Sequence, residues 1–186
     1  MWEDLILAPI DSSGGAVSIG EGADTVDMQV GSPASRSLPS ASFVELRNTL
    51  PAHVDVISPS VDRLMHFISR FRAADEDDFK IQLALREALA NAIVHGNQED
   101  PQKRVYVRCR CTADGEVSIT VEDEGNGFDH HAVPDPTSAH NRLLSHGRGI
   151  YLMRMSMDEV RFENGGTAVH MRKNPGAERP ARRRTQ

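Results

Sequence analysis

Residues 75–97 read Asp-Glu-Asp-Asp-Phe-Lys-Ile-Gln-Leu-Ala-Leu-Arg-Glu-Ala-Leu-Ala-Asn-Ala-Ile-Val-His-Gly-Asn, and their periodicity decides how the chain is read. The acids Asp75 to Asp78 put negative charge at the positive end of a helix dipole. Ile81, Leu85, Leu89 and Ala92 form an apolar stripe, and Gly96 supplies a stop. Glu87, Asn91 and His95, each one turn apart, make a polar stripe beside it. On a largely buried helix such a stripe has to be satisfied by something. An Asn carbonyl oxygen is a hard neutral ligand suited to Mg²⁺, and a carboxylate one turn earlier can accept a proton. The same spacing also fits the partly exposed face of an ordinary helix, so the stripe alone leaves both readings open.

Upstream, Phe43 to Leu50 carries Phe43, Val44, Leu46 and Leu50 among polar residues and is read as a first strand. Pro59-Ser60 opens a helix through Leu64, Phe67, Ile68 and Phe71, with Ser58 the expected cap. Downstream, Val105-Tyr106-Val107 and Val117 to Val121 alternate around Asp114-Gly115, a hairpin signal. A polar, histidine-rich stretch from Asp129 to His146 follows, then a helix over Gly149 to Met157. Val160 to Phe162 and Thr167 to Met171 form a second hairpin around Asn164-Gly165-Gly166. Strand, two helices, two strands, loop, helix and two strands specify an α+β domain, a two-layer sandwich with helices on one face of a mainly antiparallel sheet.

The bulk properties set the limits. A chain of 186 residues suits one domain of roughly 100–150 residues plus extra sequence. The domain is expected over 41–173. Residues 1–40, rich in Gly, Ser, Pro and Ala, are expected to be a flexible arm, and 174–186 a disordered basic tail. Leu5-Ile6-Leu7 is a short apolar patch within that arm. The net charge of −6 gives no bias toward nucleic acid, and the run Arg182 to Arg184 is read as a solvated end. No apolar run approaches the ~20 residues of a membrane helix. Cys109 and Cys111, two apart on a strand, are ill placed for a disulfide and lack a second pair for zinc. Free thiols and the lack of a signal-peptide pattern lead to a cytoplasmic expectation.

Two further elements carry chemistry. Asp123-Glu-Gly125-Asn-Gly127-Phe128 lies where a strand ends. Its aspartate can accept a hydrogen bond from an exocyclic amine such as adenine's, and glycines at alternate positions let backbone approach a flat base. Alone it would be a simple turn. His146-Gly147-Arg148-Gly149-Ile150 runs into a helix whose free N–H groups form an anion site, with Arg148 available to a phosphate. Neither the P-loop nor the dinucleotide fingerprint is present.

Together, Glu87-x-x-x-Asn91, Asp123-x-Gly125-x-Gly127 and Gly147-x-Gly149 resemble the N box and two glycine boxes of the Bergerat (GHKL) ATP-binding domain of gyrase, Hsp90 and histidine kinases. Arg86 to Asn97, Val121 to Phe128, Gly147 to Met153 and Met157 to Val160 are most similar to the bacterial anti-sigma-factor serine kinases. The resemblance implies that Asn91 holds Mg²⁺ against ATP and that Glu87 is the general base for a serine hydroxyl. It implies that Asp123 reads the adenine amine, that Gly125 and Gly127 shape the base pocket, and that Gly147, Arg148 and Gly149 wrap the phosphates. His130 to His146 would be the ATP lid. Its histidines His130, His131, His140 and His146 are read as solvated loop residues rather than metal ligands, and His95 and Asn97 as neighbours of the site. The implied partners are a sigma factor and an anti-anti-sigma protein of the STAS type, with the kinase a homodimer. A non-catalytic ATP-binding regulator and a detached ATPase or histidine-kinase module are the competing readings.

Overall fold

The computed structural model describes residues 16–20, 25–31, 43–72, 77–128 and 148–175. Its strands are β1 (Ala16–Gly20), β2 (Thr25–Gly31), β3 (Phe43–Pro51), β4 (Arg104–Thr112), β5 (Val117–Asp123), β6 (Glu159–Glu163) and β7 (Ala168–Lys173). Its α-helices are α1 (Ile57–Phe71), α2 (Asp77–Ala90) and α3 (Arg148–Ser156). The strands form one sheet in the order β1-β2-β3-β4-β5-β7-β6, and every pairing is antiparallel. The α+β sandwich is therefore as expected, with the helices on one face.

Alternation sets that face. Along β4, Val105, Val107, Cys109 and Cys111 are buried, and along β5 so are Val117, Ile119 and Val121. Residues two apart on a strand share a face, so these side chains form one apolar floor. Helix α1 lays Val61, Leu64, Phe67 and Ile68 on it, and α2 adds Ile81, Ala84, Leu85, Ala88 and Leu89. Ile150 and Met153 of α3 complete the core. A fully buried leucine contributes roughly 1.5–3 kcal/mol relative to exposure. Cys109 and Cys111 are free thiols in this floor. The Cys111 thiol beside it, together with burial, pushes the Cys109 thiol well above the ordinary range.

Two expectations about these elements are corrected. Within residues 1–40, expected to be a flexible arm, β1 and β2 pair as antiparallel strands, with β2 registered on β3 from Thr25↔Thr49 to Gly31↔Phe43. The period-two alternation of Thr25-Val-Asp-Met-Gln-Val30 fits a strand, and the edge of β3 offers unpaired N–H and C=O groups to it. Composition alone had hidden that pattern. Ser58 is not a cap, because a 3₁₀ turn at Val54–Val56 runs into α1 and leaves Ser58 inside the helix. Its hydroxyl instead accepts a hydrogen bond from the Arg86 guanidinium at 3.2 Å. The helix through Glu87 does end at Gly96, as expected, but its last turn, Asn91–Gly96, is π-helical.

The domain edge is tied by charge. Lys173, at the end of β7, is buried between Asp77 of α2 (3.4 Å) and Asp158 (3.2 Å). The Asn174 backbone N–H donates to Asp158 at 2.8 Å, so this residue, expected in the loose tail, belongs to the domain. Residues 1–15, 32–42 and 176–186 lie outside the described residues.

Candidate nucleotide site

The widened turn organises the site. At its end the Asn97 N–H donates to the carbonyl of Ala92, five residues back, at 2.8 Å. Such π-helical turns occur inside α-helices, frequently at functional sites. Here the widening begins at Asn91, one turn after Glu87, and carries Gly96 onto the carboxyl of Asp123 at the end of β5. A Cβ on Gly96 would stand 2.4 Å from the Asp123 carboxyl carbon. A Cβ on Gly125 would stand 2.3 Å from the Gly96 carbonyl oxygen. An added Cβ at either position would force its neighbour to move, so helix end and glycine turn close on each other with the aspartate between them.

Asp123 is further held by its own backbone. Its N–H donates to the Thr167 carbonyl at 2.9 Å, and its Oδ1 accepts the Gly125 N–H at 2.8 Å. Burial pushes its carboxyl above the ordinary value of 3.8, and the Gly125 N–H works against that rise. A half-buried carboxylate with an unused oxygen lone pair facing a cavity is a natural acceptor for a ligand amine.

That cavity measures about 500 Å³, within the roughly 300–1,000 Å³ usual for small-molecule sites. Glu87, Asn91, His95, Asp123, Gly127, Arg148 and Gly149 all line it, so the three motifs converge on one pocket. Gly149, the second residue of α3, lies directly on the Glu87–Asn91 stripe. A Cβ there would stand 2.8 Å from Glu87 Oε2 and 3.2–3.3 Å from the Asn91 amide. Gly125 supports the pocket from behind instead of lining it, and Gly147 and the four lid histidines fall outside the described residues. Among the described residues, no three His, Cys, Asp or Glu side chains gather into a metal cage.

Sequence reading missed several members. Phe128 and Phe162 meet edge to face, with centroids 5.6 Å apart, and both line the apolar wall with Val121, Val169 and Met153. The hairpin glycines serve the site as well as the turn. Gly127, at φ +72, packs on the Gly165 carbonyl, and Gly166, at φ +96, packs on Phe128. The Asn164-Gly165-Gly166 signal marked only a turn, since nothing local shows that β6–β7 folds back onto Gly127. Asn97 does not line the cavity. It is fully buried, donating from Nδ2 to the Arg104 carbonyl (2.8 Å) and accepting the Glu124 N–H at Oδ1 (2.9 Å).

The carboxylate and amide of one helix, Glu87 and Asn91, therefore line the same cavity as the half-buried Asp123. A model of the histidine kinase-like ATPase domain matches residues 50–173, and the chain belongs to that family. Its relatives include proteins named as anti-sigma factors and serine kinases. The anti-sigma F factor of Heyndrickxia coagulans is 36% identical over 98 residues, covering 50% of this chain and 67% of that protein. The serine-protein kinase RsbW of Bacillus subtilis (strain 168) is 30% identical over 146 residues, covering 75% of this chain and 89% of that protein. The anti-sigma F factor of Geobacillus kaustophilus is 32% identical over 138 residues, covering 69% and 81%. No helix of the described residues is long and apolar enough to cross a membrane.

Proposed function

We propose that the chain is an ATP-dependent serine protein kinase that doubles as an anti-sigma factor, phosphorylating an anti-anti-sigma partner of the STAS type and sequestering a sigma factor. The observation that carries this reading is the meeting of Glu87, Asn91 and Gly149 in a cavity that Asp123 also lines. A nucleotide with its base against Asp123 and Gly127 would extend its phosphates toward the start of α3. There Arg148, the backbone of Gly149 and, by sequence match, Gly147 would hold them. The Asn91 carbonyl oxygen fits Mg²⁺, which takes one or two protein ligands and completes its shell with phosphate and water. When bound, the ion would neutralise phosphate charge.

Glu87 supplies what a non-catalytic nucleotide switch would not need. The partner's serine Oγ bonds to the γ-phosphorus as the bridging bond to the β-phosphate breaks. Glu87 takes the hydroxyl proton, and ADP leaves with the bridging oxygen. Phosphate on that serine would add roughly two negative charges at the complex interface and release the partner, freeing the kinase for the sigma factor. The names carried by the relatives support both roles. The chain is proposed to act as a homodimer in the cytoplasm.

The test is incubation with γ-labelled ATP, Mg²⁺ and STAS-domain proteins from the same genome. Label on a partner serine is the expected result. ATP binding and a stable partner complex without label would instead leave the non-catalytic regulator as the better description.

A further inference from the structure

We propose that Asn97 is the positioning residue that sets base selectivity, holding the Asp123 turn at a fixed place relative to the Glu87–Asn91 helix. The inference rests on the reading of Asp123 as the acceptor for the adenine amine. Its grounds are hydrogen bonds that join three separate elements through one side chain. The Asn97 amide leaves the end of the π-helical turn, donates to the Arg104 carbonyl where β4 begins, and accepts from the Glu124 N–H in the turn after β5. The Asn97 side chain is fully buried, so its removal would take a hydrogen-bond partner from both the Arg104 carbonyl and the Glu124 N–H and leave a void between them.

Glu124 is then gripped again from its own side chain. Its carboxylate accepts the Arg104 N–H and the Tyr106 hydroxyl, each at 2.8 Å. Glu124 sits between Asp123 and Gly125, so fixing its backbone fixes theirs. Gly96, beside Asn97 in the chain, forms the floor under the Asp123 carboxyl. One amide therefore ties the floor, the carboxylate and the glycine turn together. It touches no ligand and acts on the base only through Asp123. Phosphate contacts at Asn91 and Gly149 do not depend on it.

The experiment measures Kd for ATP and for inosine triphosphate, which carries a carbonyl in place of the adenine amine. Wild type, Asn97→Ala and Asn97→Asp are compared as full chains with Mg²⁺ and no partner. Wild type is expected to prefer ATP by at least ~10-fold, as a site built around a hydrogen-bonding group does. Asn97→Ala should cut that preference by about fivefold or more while inosine triphosphate binds within ~3-fold of wild type. Asn97→Asp keeps the acceptor for Glu124 but loses the donor to Arg104, and should fall between.

A folded Asn97→Ala with unchanged preference, or with equal loss for both nucleotides, overturns the inference and leaves Asn97 a structural staple. If Asn97→Ala does not fold, Asn97→Asp decides by the same ratio, and failure of both to fold assigns Asn97 to folding alone. Absence of any ATP preference in wild type overturns the reading of Asp123 itself, and this inference with it.

Discussion

Gly96→Ala is the most informative single substitution, because it moves a binding group without removing one. The new Cβ would stand 2.4 Å from the Asp123 carboxyl carbon and 2.5–2.6 Å from its oxygens. Real Cβ contacts essentially never fall under 3.0 Å, so the carboxylate has to withdraw by about 0.6 Å. Gly125 closes the far side, and its N–H bond to Oδ1 is strained by the same movement. A ligand hydrogen bond of ~2.9 Å becomes ~3.5 Å, the edge at which it ceases to be one. Hydrogen bonds to charged groups are worth about 1.5–3 kcal/mol, so ATP affinity should drop roughly 10- to 150-fold. Gly96 has no left-handed backbone, so the fold should survive. Calorimetric titration of ATP into wild type, Gly96→Ala, Asp123→Ala and the double variant checks the reasoning. The double variant should bind no worse than Asp123→Ala, since both changes act on one carboxylate. Wild-type affinity in Gly96→Ala, or additive losses in the double variant, would refute it.

Other consequences follow from the same geometry. Gly149→Ala places a Cβ 2.8 Å from Glu87 Oε2, the flexible end of a side chain, so phosphoryl transfer should fall ~10-fold or more with little change in Tm. Single-turnover assays beside a melting curve separate the two. Burial raises the Asp123 carboxyl, so its ionised form opposes folding, although that is the form the proposed adenine contact requires. ATP binding should therefore weaken on acidification from a pH above 3.8, and Asp123→Asn should raise the Tm of the ligand-free protein while weakening ATP binding. Asp77 and Asp158 shift the other way. The Lys80 hydrogen bond lowers Asp77 and the Asn174 N–H lowers Asp158, each against burial and each helped by Lys173. Their stabilisation is present above the ordinary carboxyl range and is lost as pH falls through the depressed values. Asp158→Asn should thus lower Tm at pH 7 and converge with wild type in strong acid. Leu85→Ala, in the fully buried stripe of α2, should cost about 2–5 kcal/mol by denaturant unfolding.

What was legible in the sequence was whatever is encoded locally. The apolar stripe Ile81-Leu85-Leu89 and the polar stripe Glu87-Asn91 both come from helical periodicity, and both lie where that periodicity puts them. Asp114-Gly115 and Asn164-Gly165-Gly166 marked hairpins because their glycines supply positive φ, at +92, +66 and +96 for Gly115, Gly165 and Gly166. The π-helical turn at Asn91–Gly96 was invisible, since one extra residue in a turn leaves no mark on the stripe before it. β1 and β2 were hidden because their alternation is short and set in Gly-, Ser- and Pro-rich sequence, and because their pairing depends on an edge provided by β3. Asn97 bonds to residues 7 and 27 positions away, and the Gly127–Gly165 contact spans two elements. Only tertiary structure brings such partners together.

The most direct measurement is the split between binding and transfer in Glu87→Gln. The variant keeps the shape of the side chain beside Gly149 but cannot take a proton, whereas Asp123, Asn91 and the start of α3 are untouched. ATP should bind within ~3-fold of wild type, while transfer to a STAS-partner serine should fall by at least ~100-fold. Transfer at the wild-type rate with intact binding would contradict the assignment of Glu87 as the base and, with it, the kinase mechanism drawn from this site.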